Sequence, residues 1–393
     1  MTNQIATGMA SGAAADAVKA IAAEIGGKLG VPPVLVVAFA STTQPLGEVT
    51  RALSLAFPTA TVLGASTAGE FTERGDAKNS VAVFAAAGDF KVYAALGGDL
   101  KANPERALKA ATEGLPRTVS GYPHRTGILL LDPLAGNGEE VTLLLAGLLG
   151  GNDPLAGGAA GDDLHMKSTF VALGNRAEEN ALVFAQIFSK SPLGIGVSHG
   201  HTPLSDPIRV TKASGNVVSE IDGRPAWDVW RERTKVAAAK HGIDVDKLAP
   251  AAEGGYLLRY EAGLANGAEY KVRAPLSRDA SGAISFACGI PEGTVIRITE
   301  SVPEAQVASA REAARRAKKH LSGRPIAGAL VFDCICRNLI LEKDFARAVR
   351  GMAEELGDVP LAGFETYGEI AMDAGDMSGF HNTTSVVLAF PRD

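Results

Sequence analysis

One short pattern occurs three times along the chain: an apolar run, a glycine, three or four small or hydroxylated residues, a second glycine and an acid. The copies are VLGASTAGE at 62–70, PLAGGAAGD at 154–162 and PLAGFETYGE at 360–369. A repeated pattern usually marks a repeated structural unit, and overlooking it leads to a wrong fold. This repeat therefore constrains the fold more than any other feature of the sequence.

The surroundings of the three copies also match. Each copy is preceded by an apolar segment of strand type and an amphipathic helix, and is followed by another apolar strand. The leading strands are predicted at 34–40, 127–131 and 327–332, and the closing strands at 80–85, 181–188 and 383–390. The unit is thus β-α-β-turn-β. Short buried strands with helices between them predict an α/β fold, in which duplicated units form two packed lobes with mixed sheets.

The spacing of the copies is uneven. Gly157 follows Gly64 by 93 positions, whereas Gly363 follows Gly157 by 206. Residues 208–300 are predicted to be mostly strands with one helix near 225–233, and a long helix is predicted to end near Leu321. A connector at 241–255 is the predicted domain boundary, and 13–29 is predicted to be an Ala-rich helix. The longer segment between the second and third copies could contain a degenerate fourth unit, although none can be aligned.

Composition narrows the class of protein. The chain has 393 residues, 46% of them hydrophobic, which is enough for a sizeable core, and a net charge of −6, which argues against general nucleic-acid binding. Three cysteines do not make a disulfide scaffold, and no apolar stretch reaches the ~20 residues of a membrane span. We therefore expect a cytoplasmic protein with no membrane or nucleic-acid partner.

The Gly-acid turns are candidate ligand sites. Glycine allows close approach of the backbone, so such a turn can present N–H groups beside small hydroxyls to a polar or anionic ligand. The alternative is that the turns only make tight strand connections. The candidate ligand-binding residues in the three turns are Gly64, Ser66, Thr67, Gly69, Glu70, Gly158, Asp162, Tyr367, Gly368 and Glu369.

Five segments together resemble the FIST family. The first two turns are similar to those of its N-terminal domain. In the C-terminal half, FDCICR at 332–337, LAGFETYGEI at 361–370 and FHNTT at 380–384 resemble segments of its C-terminal domain. The resemblance implies an N-terminal helix at 1–30, a FIST N-terminal domain at 31–240 and a FIST C-terminal domain at 241–393.

The same resemblance implies a function. FIST domains are expected to be intracellular sensory domains for small ligands, with amino acids or their derivatives proposed. Some stand-alone bacterial members are haem proteins that sense nitric oxide and act on a partner histidine kinase. We therefore expect a sensor that is not an enzyme, with haem as one candidate cofactor, an amino-acid-like metabolite as the alternative ligand, and a separate partner for its output. A homo-oligomer is left open.

His381, followed by Asn382, is the first candidate for a haem ligand, because a neutral imidazole binds iron well. The alternative is a core histidine that fixes the last turn. His199, His201 and His241 are the other candidates, and the first two are expected on one side of an extended segment.

Other C-terminal side chains have two interpretations each. Cys334 and Cys336 are predicted on one face of a strand, as buried thiols or as a thiolate ligand or redox pair. Arg337 could form a bidentate pair with a ligand carboxylate, or an internal salt bridge to Glu369. The Tyr367 hydroxyl is predicted to line a pocket.

An enzyme is the remaining alternative. Gly64–Gly69 is Gly-x-Ser-x-x-Gly, which lacks the spacing of a nucleophile elbow. A hydrolase or transferase that uses Ser66 or Thr67 as its nucleophile would still be consistent with a small hydroxyl at a turn.

Overall fold

The computed structural model describes residues 2–136, 138–151, 153–372 and 379–393. Within them the strands form three six-stranded sheets and one nine-stranded sheet, with helices between. The predicted α/β class with mixed sheets is confirmed. The two lobes are a large body made from three copies of the repeated unit, and a smaller inserted lobe at 201–301.

The first two units have the same order of elements. The first contains β1 (Gln4–Ser11), α1 (Ala14–Lys28), β2 (Leu35–Ala40), α2 (Leu46–Ala56), β3 (Thr61–Ser66), β4 (Glu70–Thr72), β5 (Gly75–Ala77) and β6 (Ser80–Ala87). The second contains β7 (Phe90–Gly98), α3 (Pro104–Thr112), β8 (His124–Leu131), α4 (Gly138–Leu148), β9 (Leu155–Ala159), β10 (Val171–Leu173), β11 (Arg176–Glu178) and β12 (Ala181–Ser189).

The third unit is interrupted after its first strand, β13 (Gly194–His199). The inserted lobe follows, with β14 (His201–Pro203), β15 (Ile208–Ser214), β16 (Val217–Ile221), β17 (Arg224–Pro225), α5 (Ala226–Lys240), α6 (Pro250–Arg259), β18 (Tyr260–Asn266), β19 (Glu269–Arg273), β20 (Pro275–Arg278), β21 (Ile284–Phe286) and β22 (Val295–Ser301). The unit resumes with α7 (Pro303–His320), β23 (Ile326–Cys334), α8 (Ile335–Leu341), α9 (Phe345–Leu356), β24 (Leu361–Thr366), β25 (Glu369–Met372), β26 (Gly379–His381) and β27 (Thr384–Pro391).

Each six-stranded sheet contains four strands of one unit and a hairpin from another. The orders are β1-β6-β2-β3-β10-β11, β7-β12-β8-β9-β25-β26 and β13-β27-β23-β24-β4-β5. The hairpin of the first unit therefore joins the third sheet, that of the second joins the first, and that of the third joins the second. The exchanged hairpins of the first and third units begin at the acid of the Gly-acid turn, and that of the second begins after a loop that follows Asp162. The turns therefore lead the chain from one sheet to the next.

The three sheets share one apolar core. Their inner faces contribute to a single buried cluster, in which the rings of Phe39 and Phe364 stack across two sheets with centroids 4.5 Å apart. Helices cover the outer faces: α1 and α2 on the first sheet, α3 and α4 on the second, α7 and α9 on the third. Burying such an aromatic side chain contributes ~1.5–3 kcal/mol, so separating the units would expose a large apolar area.

The first glycine of each repeat is required by lack of space. A Cβ added to Gly157 would lie 1.9 Å from the carbonyl oxygen of Leu129 on the neighbouring strand, and one on Gly363 would lie 2.4 Å from that of Val331. The repeated glycines thus allow close packing between strands. For this part of the pattern, the structure agrees with the alternative that the turns only make tight strand connections.

Several sequence expectations differ from the structure. The uneven spacing of the repeats comes from the inserted lobe and not from a fourth unit. The strand β1 precedes the helix expected at 13–29, and α6 begins within the connector expected at 241–255 and continues to Arg259. Cys336 lies in α8 while Cys334 ends β23, so the two thiols do not share a strand face.

None of the helices in the described ranges is both long and apolar enough to cross a membrane.

Replacing Gly157 by Ala should lower the free energy of unfolding by roughly 1–3 kcal/mol, because the added methyl group has to displace neighbouring backbone. Urea denaturation of the purified variant measures this. The matched control is Gly147→Ala on α4, where an added Cβ meets nothing within 4 Å. That change should be neutral or stabilising by up to ~1 kcal/mol. Equal midpoints for the two variants would contradict the packing role of Gly157.

Candidate functional site

The three Gly-acid turns meet one another between the units. The amide of Ala68 donates to the carbonyl oxygen of Glu365, 3.1 Å, and the amide of Gly161 donates to that of Ser66, 2.8 Å. The amide of Tyr367 in turn donates to the carbonyl oxygen of Ala159, 3.1 Å. The backbone groups expected to face a ligand are therefore paired with the neighbouring turn.

The acids of the first and third turns are bonded inside their own units in the same way. Thr67 Oγ1 and Ser80 Oγ donate to the Glu70 carboxyl group, and Thr366 Oγ1 and Thr384 donate to that of Glu369. Burial raises the pKa of Glu70 to about 7 and that of Glu369 to about 8. Both side chains are fully buried, so they hold the exchanged hairpin to the start of the closing strand.

The acid of the second turn organises a strained loop instead. Asp162 accepts hydrogen bonds from the amides of Met166, Lys167 and Ser168 and from the Tyr367 hydroxyl. Burial alone would raise the pKa of Asp162, but these donors hold it below its ordinary value. Leu164 and Met166 have left-handed backbones, with φ of 65° and 54°, and such residues persist only where their surroundings enforce them.

The hydroxyls proposed as nucleophiles are enclosed. Ser66 Oγ donates to the carbonyl oxygen of Gly161, 2.7 Å, and accepts from the amide of Phe170, 2.8 Å, while Thr67 donates to Glu70. Gly64, Gly69, Gly158 and Gly368 all pack closely against neighbouring groups. The first-turn residues are therefore brought together, but in the interior.

Arg337 is also internal. Its guanidinium is fully buried, and its Nε donates to Asp333 Oδ1, 2.9 Å, while its other nitrogens bond to Gln306 and Ser309. The internal salt bridge weighed from the sequence exists, with Asp333 as the partner in place of Glu369.

His381 and Asn382 lie where the third unit meets the inserted lobe. Both ring nitrogens of His381 and the Oδ1 atom of Asn382 are buried without a hydrogen-bond partner among the described residues. Burial, with Lys271 and Arg273 nearby, holds the pKa of His381 well below its ordinary value. The imidazole is thus neutral, as an iron ligand requires.

The residues around His381 nevertheless do not fit a haem. Its side chain has no exposed surface, so an iron atom could reach a ring nitrogen only after the surrounding side chains were displaced. The nitrogens of His199 are used by Tyr270 and by the amide of His201, and His241 bonds to Glu300. Throughout the described ranges, no three His, Cys, Asp or Glu side chains are grouped so that they could hold a metal ion.

The cysteines are free thiols. Cys334 and Cys336 pack with Ala68 and Ala274 in a small buried cluster, and burial raises the pKa of Cys334 well above its ordinary value. His201 Nε2 lies 3.7 Å from Glu261 Oε2 in the same region.

A large open cavity lies at the boundary between the three-unit body and the inserted lobe. We call it the cleft; its volume is about 930 Å³, within the range of small-molecule sites. The body contributes Glu139, Glu140, Leu143, Leu144, Met166, Tyr367 and Phe380 to its wall, and the inserted lobe contributes Asn216, Leu276, Phe286 and Cys288. Of the residues expected to bind a ligand, only Tyr367 lines this wall.

Comparison with known sequences identifies the family. The family model described as the FIST N domain matches residues 34–224, and the FIST C domain matches residues 226–372. The chain belongs to the FIST family. FIST domains are associated with signal transduction and small-ligand sensing. The junction between the two FIST matches falls between β17 and α5 of the inserted lobe, and residue 240, the boundary expected from the sequence, also lies in that lobe.

The curated relatives that match are described as uncharacterised proteins. One from Mycobacterium tuberculosis is 27% identical over 195 residues, covering 49% of this chain and 50% of the relative. One from Mycobacterium bovis is 28% identical over 201 residues, covering 50% of each. The chain spans about half the length of these relatives. A solved cyanuric acid hydrolase aligns over both whole chains with 10% identity and a TM-score of 0.33, too low to indicate a common fold.

Sequence reasoning missed most of the cleft of this FIST protein. Glu139, Leu143, Leu276 and Cys288 line the cleft, and none of them is among the ligand-binding residues expected from the sequence. The sequence does contain one indication of the cleft. A pair of acids in the first turn of α4 is followed by three consecutive leucines, which cannot all lie on the buried face of one helix.

Stability should fall as the pH rises from about 5 to 9, since several acids have raised pKa values in the folded chain. Burial, and then Asp333, raises the pKa of Glu365 to about 9 from an ordinary 4.5, so its contribution is complete below pH 4.5 and lost as the pH passes 9. Glu365→Gln mimics the protonated acid and should reduce this loss by on the order of 1 kcal/mol.

Guanidinium denaturation at pH 5, 7 and 9 measures the slope for both chains. Exposed Glu113→Gln is the control and should keep the wild-type slope. If Glu365→Gln also keeps it, the carboxyl group of Glu365 does not retain its proton in the folded state.

Proposed function

We propose that the chain is a sensor of a small ligand, that the ligand occupies the cleft, and that binding there alters the position of the inserted lobe. The observation that supports this proposal most is the composition of the cleft wall, to which both lobes contribute. A ligand can shift an equilibrium only between states that it contacts differently. A molecule that touches both lobes at once meets this condition.

The cleft wall also includes the strained loop. Met166 lies on the wall, and the loop that contains it is fixed by Asp162 and Tyr367. Tyr367 belongs to the Gly-acid turn of the third unit, while Asp162 belongs to that of the second. A ligand that moves either side chain would therefore change a contact between two units, which is a route for the signal to leave the cleft.

An amino-acid-like metabolite suits this site better than haem. The leucine and phenylalanine side chains provide apolar contact, and Glu139 and Glu140 provide charge at one side. Haem with nitric oxide stays a prediction of the family resemblance, and we assign it no residue. A separate histidine kinase is the proposed partner for the output, and a cytoplasmic location stays a prediction.

A hydrolase or transferase at Ser66 or Thr67 is the weaker proposal, because both hydroxyls are enclosed and bonded. Esterase activity lost in Ser66→Ala, in a chain that keeps its unfolding midpoint, would favour it.

Leu143→Glu should abolish the ligand-dependent rise in melting temperature that a metabolite library produces with the wild-type chain, since it places a charge on the apolar wall. Leu148→Glu is the matched control: both leucines lie on α4, with exposures of 56% and 55%, but Leu148 is not part of the wall. Differential scanning fluorimetry measures both.

A ligand that stabilises the Leu143→Glu chain as much as the control would place the site elsewhere. No stabilisation of the wild-type chain by any compound would favour a scaffold without a ligand.

A further inference from the structure

We propose that the ligand of the cleft carries a carboxylate group, and that this group displaces Glu139 from the side chain of Arg273. The inference rests on the proposed function, because it names the chemical class of the ligand that the cleft binds. It is carried by the charges of Glu139, Lys271 and Arg273 and by a buried hydrogen-bond donor of Arg273. Glu139 lines the cleft, and the two basic side chains lie behind it.

The charges of these three side chains do not balance. Arg273 Nη2 donates to Glu139 Oε1, and Lys271 Nζ lies 3.7 Å from the same oxygen atom. Within the described ranges, two cations thus share one carboxylate. Burial and these two cations hold the pKa of His381 well below its ordinary value, and burial raises that of the Cys288 thiol, so neither neighbour adds a charge. Among the described residues, one positive charge is therefore in excess in a largely buried place, where an unpaired charge is costly. Burial, and then Arg273, lowers the pKa of Lys271, which reflects this cost.

Arg273 also has an unused donor. Its Nη1 donates to the carbonyl oxygen of Phe380, 3.2 Å, but its Nε is buried without a partner among the residues that the structure describes. The Nε and Nη2 atoms form one planar edge of the guanidinium, which matches the two oxygens of a carboxylate. Glu139 bonds to Nη2 of this edge, and Nε is left open.

Glu139 is the partner that can leave. The Glu139 side chain is about one-third exposed, at 34%, whereas that of Arg273 is 3% exposed. Glu139 lies in the first turn of α4 and lines the cleft, so its carboxylate can turn into water when another carboxylate arrives. Arg273 cannot turn into water in this way, because its side chain is almost fully buried.

The displacement would also change a contact between lobes. Glu139 belongs to the second unit, whereas Lys271 and Arg273 lie on β19 of the inserted lobe. Their ion pair joins the two lobes beside the cleft, behind the part of the wall that Glu139 forms. A ligand carboxylate would replace this link by one that runs through the ligand itself.

The test uses 3-phenylpropionate and its neutral amide, 3-phenylpropionamide, as probes, because the wall offers apolar side chains beside Glu139. Isothermal titration calorimetry with the full chain should show tighter binding of the acid than of the amide, by about tenfold. Glu139→Gln removes the competing charge and should strengthen binding of the acid by about a further tenfold, without a change for the amide.

Glu140→Gln is the matched control, since Glu140 is the adjacent acid on the same wall and the described residues include no basic partner for it. It should change the affinity for the acid far less than Glu139→Gln does. Arg273→Lys keeps the charge but removes the planar edge, and should weaken the preference for the acid while the amide binds as before. Circular dichroism melts of each variant identify any loss of folding.

Equal affinity for acid and amide in the wild-type chain, or an unchanged affinity for the acid in Glu139→Gln, would overturn the carboxylate inference. The proposed function would still stand, without the carboxylate inference, if another ligand bound to the wild-type chain and Leu143→Glu abolished that binding. Failure of both probes to bind, while the library yields a ligand sensitive to Leu143→Glu, would also overturn the carboxylate inference alone.

Discussion

Each Gly-acid turn of this FIST protein places a hairpin on the sheet of another unit, and the resulting backbone hydrogen bonds hold three sheets around one apolar core. A sheet edge that receives a neighbour's hairpin has its amides and carbonyls paired, so the exchange satisfies polar groups that would otherwise be left open. The closed cycle means that none of the three units has a complete sheet by itself. The inserted lobe, the cleft and the strained loop are all positioned by this body.

The exchange also explains why the residues that resemble a binding motif lie inside. The turns cross from one sheet to the next at the centre of the body, where there is space for glycine but not for a Cβ atom. The acids that end the turns are surrounded by hydroxyl and amide donors of the same unit or its neighbour. Their repetition follows from repeated packing, and the same packing raises the pKa values of Glu70 and Glu369.

The cleft arises where this regularity ends. The inserted lobe exists in the third unit only, so the surface between it and the second unit has no counterpart elsewhere in the body. That boundary holds the imbalanced charges of Glu139, Lys271 and Arg273, and the strained backbone at Leu164 and Met166 lies on the same side. Strain and unpaired charge persist in folded proteins where the surroundings enforce them, and such places are often functional.

The sequence by itself determined the units and their class. Alternating apolar strands and amphipathic helices around each Gly-acid turn predicted the β-α-β-turn-β unit and most of its bounds, because these signals depend on local periodicity. Only the tertiary structure decided which sheet each hairpin joins, since so short a strand contains no sequence pattern that specifies its partner strand. It also decided that Ser66, Arg337 and Glu369 are enclosed and that Glu139 and Leu143 face a cleft. Burial and pairing depend on residues more than a hundred positions away, as Glu139 and Arg273 are, and local patterns do not contain that information.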